Sequence, residues 1–370
     1  MAKNIIFCAD GTWNDPNQDE NHDNLPDQTN VYKLFLALQG ELDSGTIRSA
    51  DEQEKALGTS QVAKYIHGVG DSKNPINKLF GGAFGAGIIS RIVRGYTFIS
   101  RNYQPGDAIY IVGFSRGAYT ARALGGLICS QGLLTAKLTK DKEQAYRSGA
   151  EAWYRYRKTL SLKTNIFSRM AEIVRDLPAF LSCDSLKDAD FVPVESIASV
   201  AVWDTVGAMG IPKYSGGANY DAFQFADTKL SAKVKMGYHA VSRDEQREVF
   251  SPTLWDKAAN VTQLLFAGAH ADVGGGYPQV NKESGLSDIA LCWMMENLRG
   301  AGMLVNDCPV KPDPAGTAHK PWIHAPWDTL AFPHGPRKFK VKIDEHASVQ
   351  QRRDAAAVKA DPGEKAAKYE

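Results

Sequence analysis

The stretch from Ala108 to Cys129 constrains this chain more than any other. Ala108-Ile109-Tyr110-Ile111-Val112 has the length and β-branched content of a buried strand, and residues Ala118 to Cys129 favour a helix. Between them lies Gly113-Phe114-Ser115-Arg116-Gly117, so strand must turn into helix through a sharp elbow. Glycines at 113 and 117 leave room where strand and helix close on each other, and the turn lifts Ser115 clear of the backbone. A serine hydroxyl is a weak nucleophile near neutral pH; it needs a base for its proton and amide donors for the oxyanion. The N–H of Arg116, at the start of the helix, is one such donor. A lone Gly-x-Ser-x-Gly is commonly an ordinary glycine turn, and the flanking strand and helix set this one apart.

Other segments repeat the strand-then-polar-residue arrangement. Asn4 to Cys8 reads as a short buried strand that ends in the turn Asp10-Gly11-Thr12-Trp13-Asn14-Asp15. Ile197 to Trp203 reads as a strand ending at Asp204, and Val261 to Phe266 as one that runs out to His270. Helical spacing appears at Val31, Leu34, Phe35 and Leu38 after a capping Thr29 or Asn30, and again at Ile88, Ile89, Ile92, Tyr96 and Ile99. The glycines at 81, 82, 85 and 87 lack the Gly-Lys-Ser/Thr ending of a phosphate loop, and indicate close packing at a helix start. Apolar strands that each deliver a reactive residue past their C-terminal ends predict an α/β fold with an open, mostly parallel sheet and a site along that edge.

Residues 1–350 are expected to form one elaborated domain. Between Leu134 and Phe191 the pattern turns helical and more polar, with Ile166, Phe167, Met170, Ile173, Val174 and Leu177 in one stripe, which predicts a helical insertion able to serve as a lid. Trp153-Tyr154-Arg155-Tyr156-Arg157-Lys158 mixes aromatics with cations and reads as a solvated helix face. The Ala/Lys/Glu-rich end, 354–370, is expected to be disordered.

Charge is nearly balanced, 43 basic against 42 acidic residues, so no global field draws the chain to nucleic acid or an anionic membrane, and any lipid contact is local and transient. Five scattered cysteines, Cys8, Cys129, Cys183, Cys292 and Cys308, show neither zinc spacing nor a disulfide framework, which suits a reducing cytoplasm. The apolar run at the N-terminus is too short for a signal peptide, so any export is expected to proceed without a cleaved signal.

The order Ser115, Asp204, His270 is nucleophile, acid, base, the chain order of α/β-hydrolases. In that reading His270 takes the Ser115 proton and Asp204 orients the imidazole. His67 and His239 are rival histidines, the latter read as part of a packed helix; Asp272, and more weakly Asp244, rival Asp204 as the acid. Gly11 and Thr12, after the first strand, are candidates for the second oxyanion donor beside Arg116. No cofactor is needed. Two other readings stay open: a metal-dependent phosphoesterase in which Asp10, Asp15, Asp204, His270 and Asp272 hold a divalent ion, and a binding protein that keeps the fold without turnover.

Four segments together resemble one family: Asp10-Gly11-Thr12-Trp13-Asn14, Gly113 through Arg122, Val202-Trp203-Asp204-Thr205-Val206-Gly207, and Gly268 through Tyr277. They are similar to the catalytic domain of type VI secretion phospholipase effectors over residues 1 to about 350. The resemblance implies an α/β-hydrolase-like three-layer sandwich, a triad of Ser115, Asp204 and His270, and hydrolysis of phospholipid or other ester bonds, chiefly of the phospholipase A kind. Ala267 stands where proline is frequent in the family. No large membrane-anchoring region and no secretion adaptor is evident, so a toxic role does not follow from the resemblance.

Overall fold

The computed structural model describes residues 2–11, 26–45, 52–68, 83–160, 186–206, 228–325, 327–328 and 333–370. Along strand β1 (Asn4–Ala9), Ile5, Phe7 and Ala9 point into one hydrophobic core and Ile6 and Cys8 into another, all buried. Successive side chains of a strand face opposite ways, so a strand apolar at both parities requires a cover on each face. Helix α1 (Asn30–Ala37), capped by the Thr29 side chain on the Tyr32 N–H, supplies part of one cover. A hairpin-like edge follows: β2 (Glu41–Leu42), β3 (Glu52–Leu57) and β4 (Gln61–Ile66). Helix α2 (Ala83–Asn102) then leads to β5 (Ala108–Phe114) and helix α3 (Arg116–Gln131), the strand and helix of the predicted elbow.

Short strands β6 (Leu133–Leu134) and β7 (Phe191–Val192) form a separate pair that flanks helix α4 (Lys142–Leu160). The chain returns to the main sheet in β8 (Ile197–Trp203), β9 (Val234–Ser242) and β10 (Val261–Phe266). A short helix α5 (His270–Gly274), helix α6 (Gly285–Gly300), strand β11 (Asp344–Glu345) and helix α7 (Ala347–Asp354) complete it. The main sheet runs β11-β10-β9-β8-β5-β1-β4-β3-β2, and all its pairings are parallel except β3 with β4 and β2 with β3. Helices α2, α3 and α4 pack on one face; α1 and α6 cover the other. This is the mostly parallel three-layer sandwich expected from the sequence.

Topology decides where a site can form. From β1 the chain moves outward to β4, then crosses back over β1 to β5, so the crevice past the C-terminal ends of β1 and β5 is the switch point of the sheet. Ser115 opens there. The antiparallel edge escaped the sequence reading because β3 and β4 are half polar, with Lys64 of β4 bonded to Glu52 and Glu54 of β3.

Three expectations change. His239 lies on strand β9, not in a helix. Trp153 and Tyr156 of α4 are buried in the core against each other, because a helix laid on α2 and α3 must bury one stripe, so this is no solvated face. Of the predicted insertion, α4 is described and the stripe from Ile166 to Leu177 lies outside the described residues. The C-terminal end is docked, not disordered. Val358 is buried and pairs with Ala367, Asp361 accepts hydrogen bonds from the Lys320 N–H and the His324 ring, and the Tyr369 hydroxyl donates to Asp244. Its polar composition hid a few well-placed anchors. Among the described residues no helix is long and apolar enough to cross a membrane.

Candidate active site

Ser115 sits at φ 57°, ψ −121°, a backbone conformation that costs a non-glycine residue about 1–3 kcal/mol and persists only where the surroundings impose it. The surroundings here are tight. A Cβ at Gly117 would come within 2.1 Å of the Ala9 carbonyl oxygen, and one at Gly113 within 2.4 Å of the Gly117 carbonyl oxygen, so the two glycines are what let the elbow close. The Ser115 N–H donates to the Trp203 carbonyl at 3.0 Å, which ties the elbow to the end of β8. Arg116 is the first residue of α3, so its N–H stands in the first turn at the helix N-terminus. Asp204, the next residue after Trp203, is also held at positive φ, 35°. Of four such non-glycine residues among those described, two are at this edge, which marks the edge as strained for a reason.

The Asp204 carboxylate is fully buried and saturated. Its Oδ2 accepts from His270 Nδ1 at 2.5 Å and from Arg337 Nη2 at 2.8 Å; its Oδ1 accepts from Arg337 Nη1 at 2.7 Å and from the Ser242 N–H at 2.9 Å. Burial alone would raise its pKa, but the charge and hydrogen bonds of Arg337, with those of His270, outweigh burial and hold it well below the usual carboxylate range. The bond from Nδ1 to the Asp204 carboxylate sets the tautomer in which Nε2 is the unprotonated ring nitrogen. Phe114 and Phe250 flank the imidazole at centroid distances of 4.6 and 4.8 Å, and the His270 N–H donates to Glu245 Oε2 at 3.1 Å. Burial lowers the His270 pKa, with Asp204 and Glu245 pulling the other way, so the free base prevails at neutral pH. Glu245 is itself buried and clamped by Arg247, whose guanidinium lies over Phe250 and Trp327.

The rivals sort themselves by partner. Asp272 turns away from His270: its carboxylate accepts from His319 Nδ1 at 2.6 Å, from the His319 N–H at 2.9 Å and from the Ala269 N–H at 2.8 Å. Asp244 binds the Gly268 N–H, Arg243 and Tyr369. His239 is buried between Gln263 and the Thr205 N–H; burial, with Arg122, pushes its pKa down to about 3, so it stays neutral. His67 ends up just past β4, on the far side of β1.

The expected oxyanion pair departs from its prediction in one member. Gly11 donates its N–H to Asp10 Oδ1 at 2.6 Å, because the buried Asp10 carboxylate, its pKa pushed up to about 6 by burial, collects donors from Gly11, Thr29 and Tyr65. Thr12 lies outside the described residues, as does Asp15 of the metal reading. The carboxylates of Asp10, Asp204 and Asp272 occupy three separate polar nests. Among the described residues no three His, Cys, Asp or Glu side chains converge in a way that could hold a metal ion. Sequence reasoning missed Ser242, Glu245, Arg247 and Arg337. The charged run 243–247 past β9 carried a faint signal; Arg337, in an irregular Pro- and Lys-rich stretch, carried none.

A mostly parallel sheet between helical layers, with a serine elbow at its switch point and an Asp–His pair past the neighbouring strands, defines an α/β-hydrolase-like protein. Residues 3–297 match the family described as type VI secretion system (T6SS), phospholipase effector Tle1-like, catalytic domain, and the chain belongs to that family. An uncharacterized protein of Saccharomyces cerevisiae is 32% identical over 146 residues, which are 40% of this chain and 20% of the yeast protein. Among solved structures, an uncharacterized protein from Pseudomonas aeruginosa is 20% identical, with a TM-score of 0.43, over 82% of this chain and 46% of that one. The Tle1 effector bound to the VgrG spike is 16% identical, TM-score 0.38, over 75% and 52%; esterase 2 of Thermogutta terrifontis is 10% identical, TM-score 0.38, over 83% and 85%. The chain thus spans a fifth of its yeast relative and about half of the first two structures.

Proposed function

We propose that this protein is a serine hydrolase that cleaves carboxylic esters, with phospholipids as the substrate class that its family favours. The observation that carries the reading is that one sheet edge holds both a strained, glycine-framed Ser115 and a His270 whose Nδ1 is committed to the buried Asp204. In the reaction His270 Nε2 takes the Ser115 proton as Oγ attacks the ester carbonyl, and the Arg116 N–H receives the oxyanion. The protonated His270 then hands its proton to the departing alcohol, leaving an acyl group on Ser115. Water, deprotonated by His270, attacks that acyl-enzyme and releases the carboxylic acid. The Ser115–His270 hydrogen bond is the one link the reading adds; such bonds are often long in free enzymes and tighten with substrate.

The family's description supports a phospholipid substrate. Action in the cytoplasm or after export belongs to the same proposal.

The test is a fluorophosphonate probe, with the adduct located by mass spectrometry, followed by assay on phospholipid vesicles. Label on Ser115 and release of fatty acid are the expected results. A folded protein that takes no label, or a Ser115→Ala variant that turns over esters like wild type, sinks the reading.

A further inference from the structure

The sequence from 298 onward lies outside the family match, yet it sends a guanidinium into the proposed site. Arg337 reaches Asp204 through both terminal nitrogens, one to each carboxylate oxygen, and the same two nitrogens donate to the carbonyl oxygens of Ser242 at 2.7 Å and Phe250 at 2.5 Å. Its side chain is only 5% exposed. A planar fork matched to a carboxylate fixes the carboxylate plane as a point charge cannot. The two carbonyls fix the fork in turn, one at the end of β9 and one beside His270.

We propose that Arg337 is a positioning residue of the hydrolytic site: it turns the Asp204 carboxylate toward His270 and balances its buried charge. The proposal rests on the Ser115–His270–Asp204 reading. An Asp204 left without that cation would press its full negative charge on the imidazole and favour the protonated ring, which cannot accept a proton from serine. With the ion pair formed, the base is ready at lower pH. The groups that face this pair are Asp204 from β8, Glu245 and Arg247 from the segment after β9, His239 from β9, and Arg337 itself. Of these, Arg337 is the cation bonded to Asp204; Arg247 is matched by Glu245, and His239 is neutral.

The decisive experiment follows the rate of Ser115 labelling by a fluorophosphonate across pH 4–9 in the full chain, for wild type, Arg337→Met, Arg337→Lys and Ser115→Ala, with circular dichroism and thermal unfolding of each. Arg337→Met is expected to label about 10- to 100-fold more slowly, with its acidic limb moved to higher pH. Arg337→Lys keeps the charge but not the fork, so its limb stays at the wild-type pH while its rate falls. A merely structural Arg337 would lower stability and leave the limb of a folded Arg337→Met where it was, and that result overturns the proposal, as does a wild-type rate in either variant. If Arg337→Met does not fold, Arg337→Lys decides: a slowed rate with an unmoved limb supports the fork, and an unchanged rate overturns it. Absence of label on wild type, or label that persists in Ser115→Ala, refutes the hydrolase reading itself and is a different outcome.

Discussion

Two histidine–aspartate pairs lie within a few residues of each other in this protein, and they differ in what surrounds them. His270 meets Asp204 at 2.5 Å and His319 meets Asp272 at 2.6 Å, both nearly closed to solvent. At the first pair Arg337 matches the carboxylate, Phe114 and Phe250 flank the imidazole, and burial lowers the pKa. At the second, Glu283 approaches the other imidazole nitrogen at 3.5 Å and Tyr277 stacks on the ring, with centroids 3.4 Å apart. Burial again disfavours the charge on His319, but Asp272 and Glu283 outweigh it and its pKa is raised. At one pair burial favours the neutral ring, which the proposed reaction would use as its base; at the other two acids favour the charged ring, a clamp that fastens the segment around 319 to the start of α5. The same two residue types titrate in opposite directions: burial prevails at His270, and Asp272 with Glu283 prevails at His319.

The sharpest break in that comparison comes from chemistry. Ser115→Ala and His270→Ala are each expected to cut kcat on esters by about 10⁶-fold, with unfolding midpoints near wild type. Asp204→Asn removes the anion but not the fold of the elbow, and an ester assay should show a loss of about 10⁴-fold. His319→Gln should act on the other axis. It leaves Asp272 buried and without its cation, so denaturant unfolding at pH 6 should show a loss of about 3 kcal/mol while kcat stays at the wild-type value. A large fall in kcat there would mean that the clamp also shapes the base.

Titration sharpens the contrast further. Because the folded pKa of His319 is raised, its contribution to stability is complete below the unfolded value of about 6.5 and fades as pH rises through the folded value. His270, lowered, behaves oppositely: its contribution is present above about 6.5 and lost as pH falls through the folded value. Unfolding midpoints measured from pH 4 to 9 should therefore lose their decline on the alkaline side in His319→Gln and keep their acid-side decline. Tyr277→Leu is the smallest change, about 1 kcal/mol for the lost stack, read from the same unfolding curves.

Local sequence carried the elbow, because the steric demand of a strand-to-helix turn writes glycines at 113 and 117 and apolar runs on each side. It also carried β1 and β8, whose covered faces make them largely apolar at both parities, β10 through its apolar end Leu264-Leu265-Phe266, and the polar residues just past them. It could not carry the hairpin edge, where charged pairs such as Lys64 with Glu52 stand in for apolar alternation. Nor could it place His239, since Met236-Gly237-Tyr238-His239-Ala240 has no period that separates a buried strand from a buried helix.

What the sequence by itself determined is the kind of chain this is: an α/β protein with a serine elbow and reactive residues at strand ends, since backbone sterics and burial act within a few residues and leave a local trace. Which acid belongs to which histidine was decided only by the tertiary structure. Chain order favoured Asp204 but left Asp272 as its rival, and the two part company because Arg337, 133 residues beyond Asp204, and His319, 47 beyond Asp272, fold back onto them. A charge acts through space with the strength its neighbours and its burial allow, and neither quantity is written in the residues beside it.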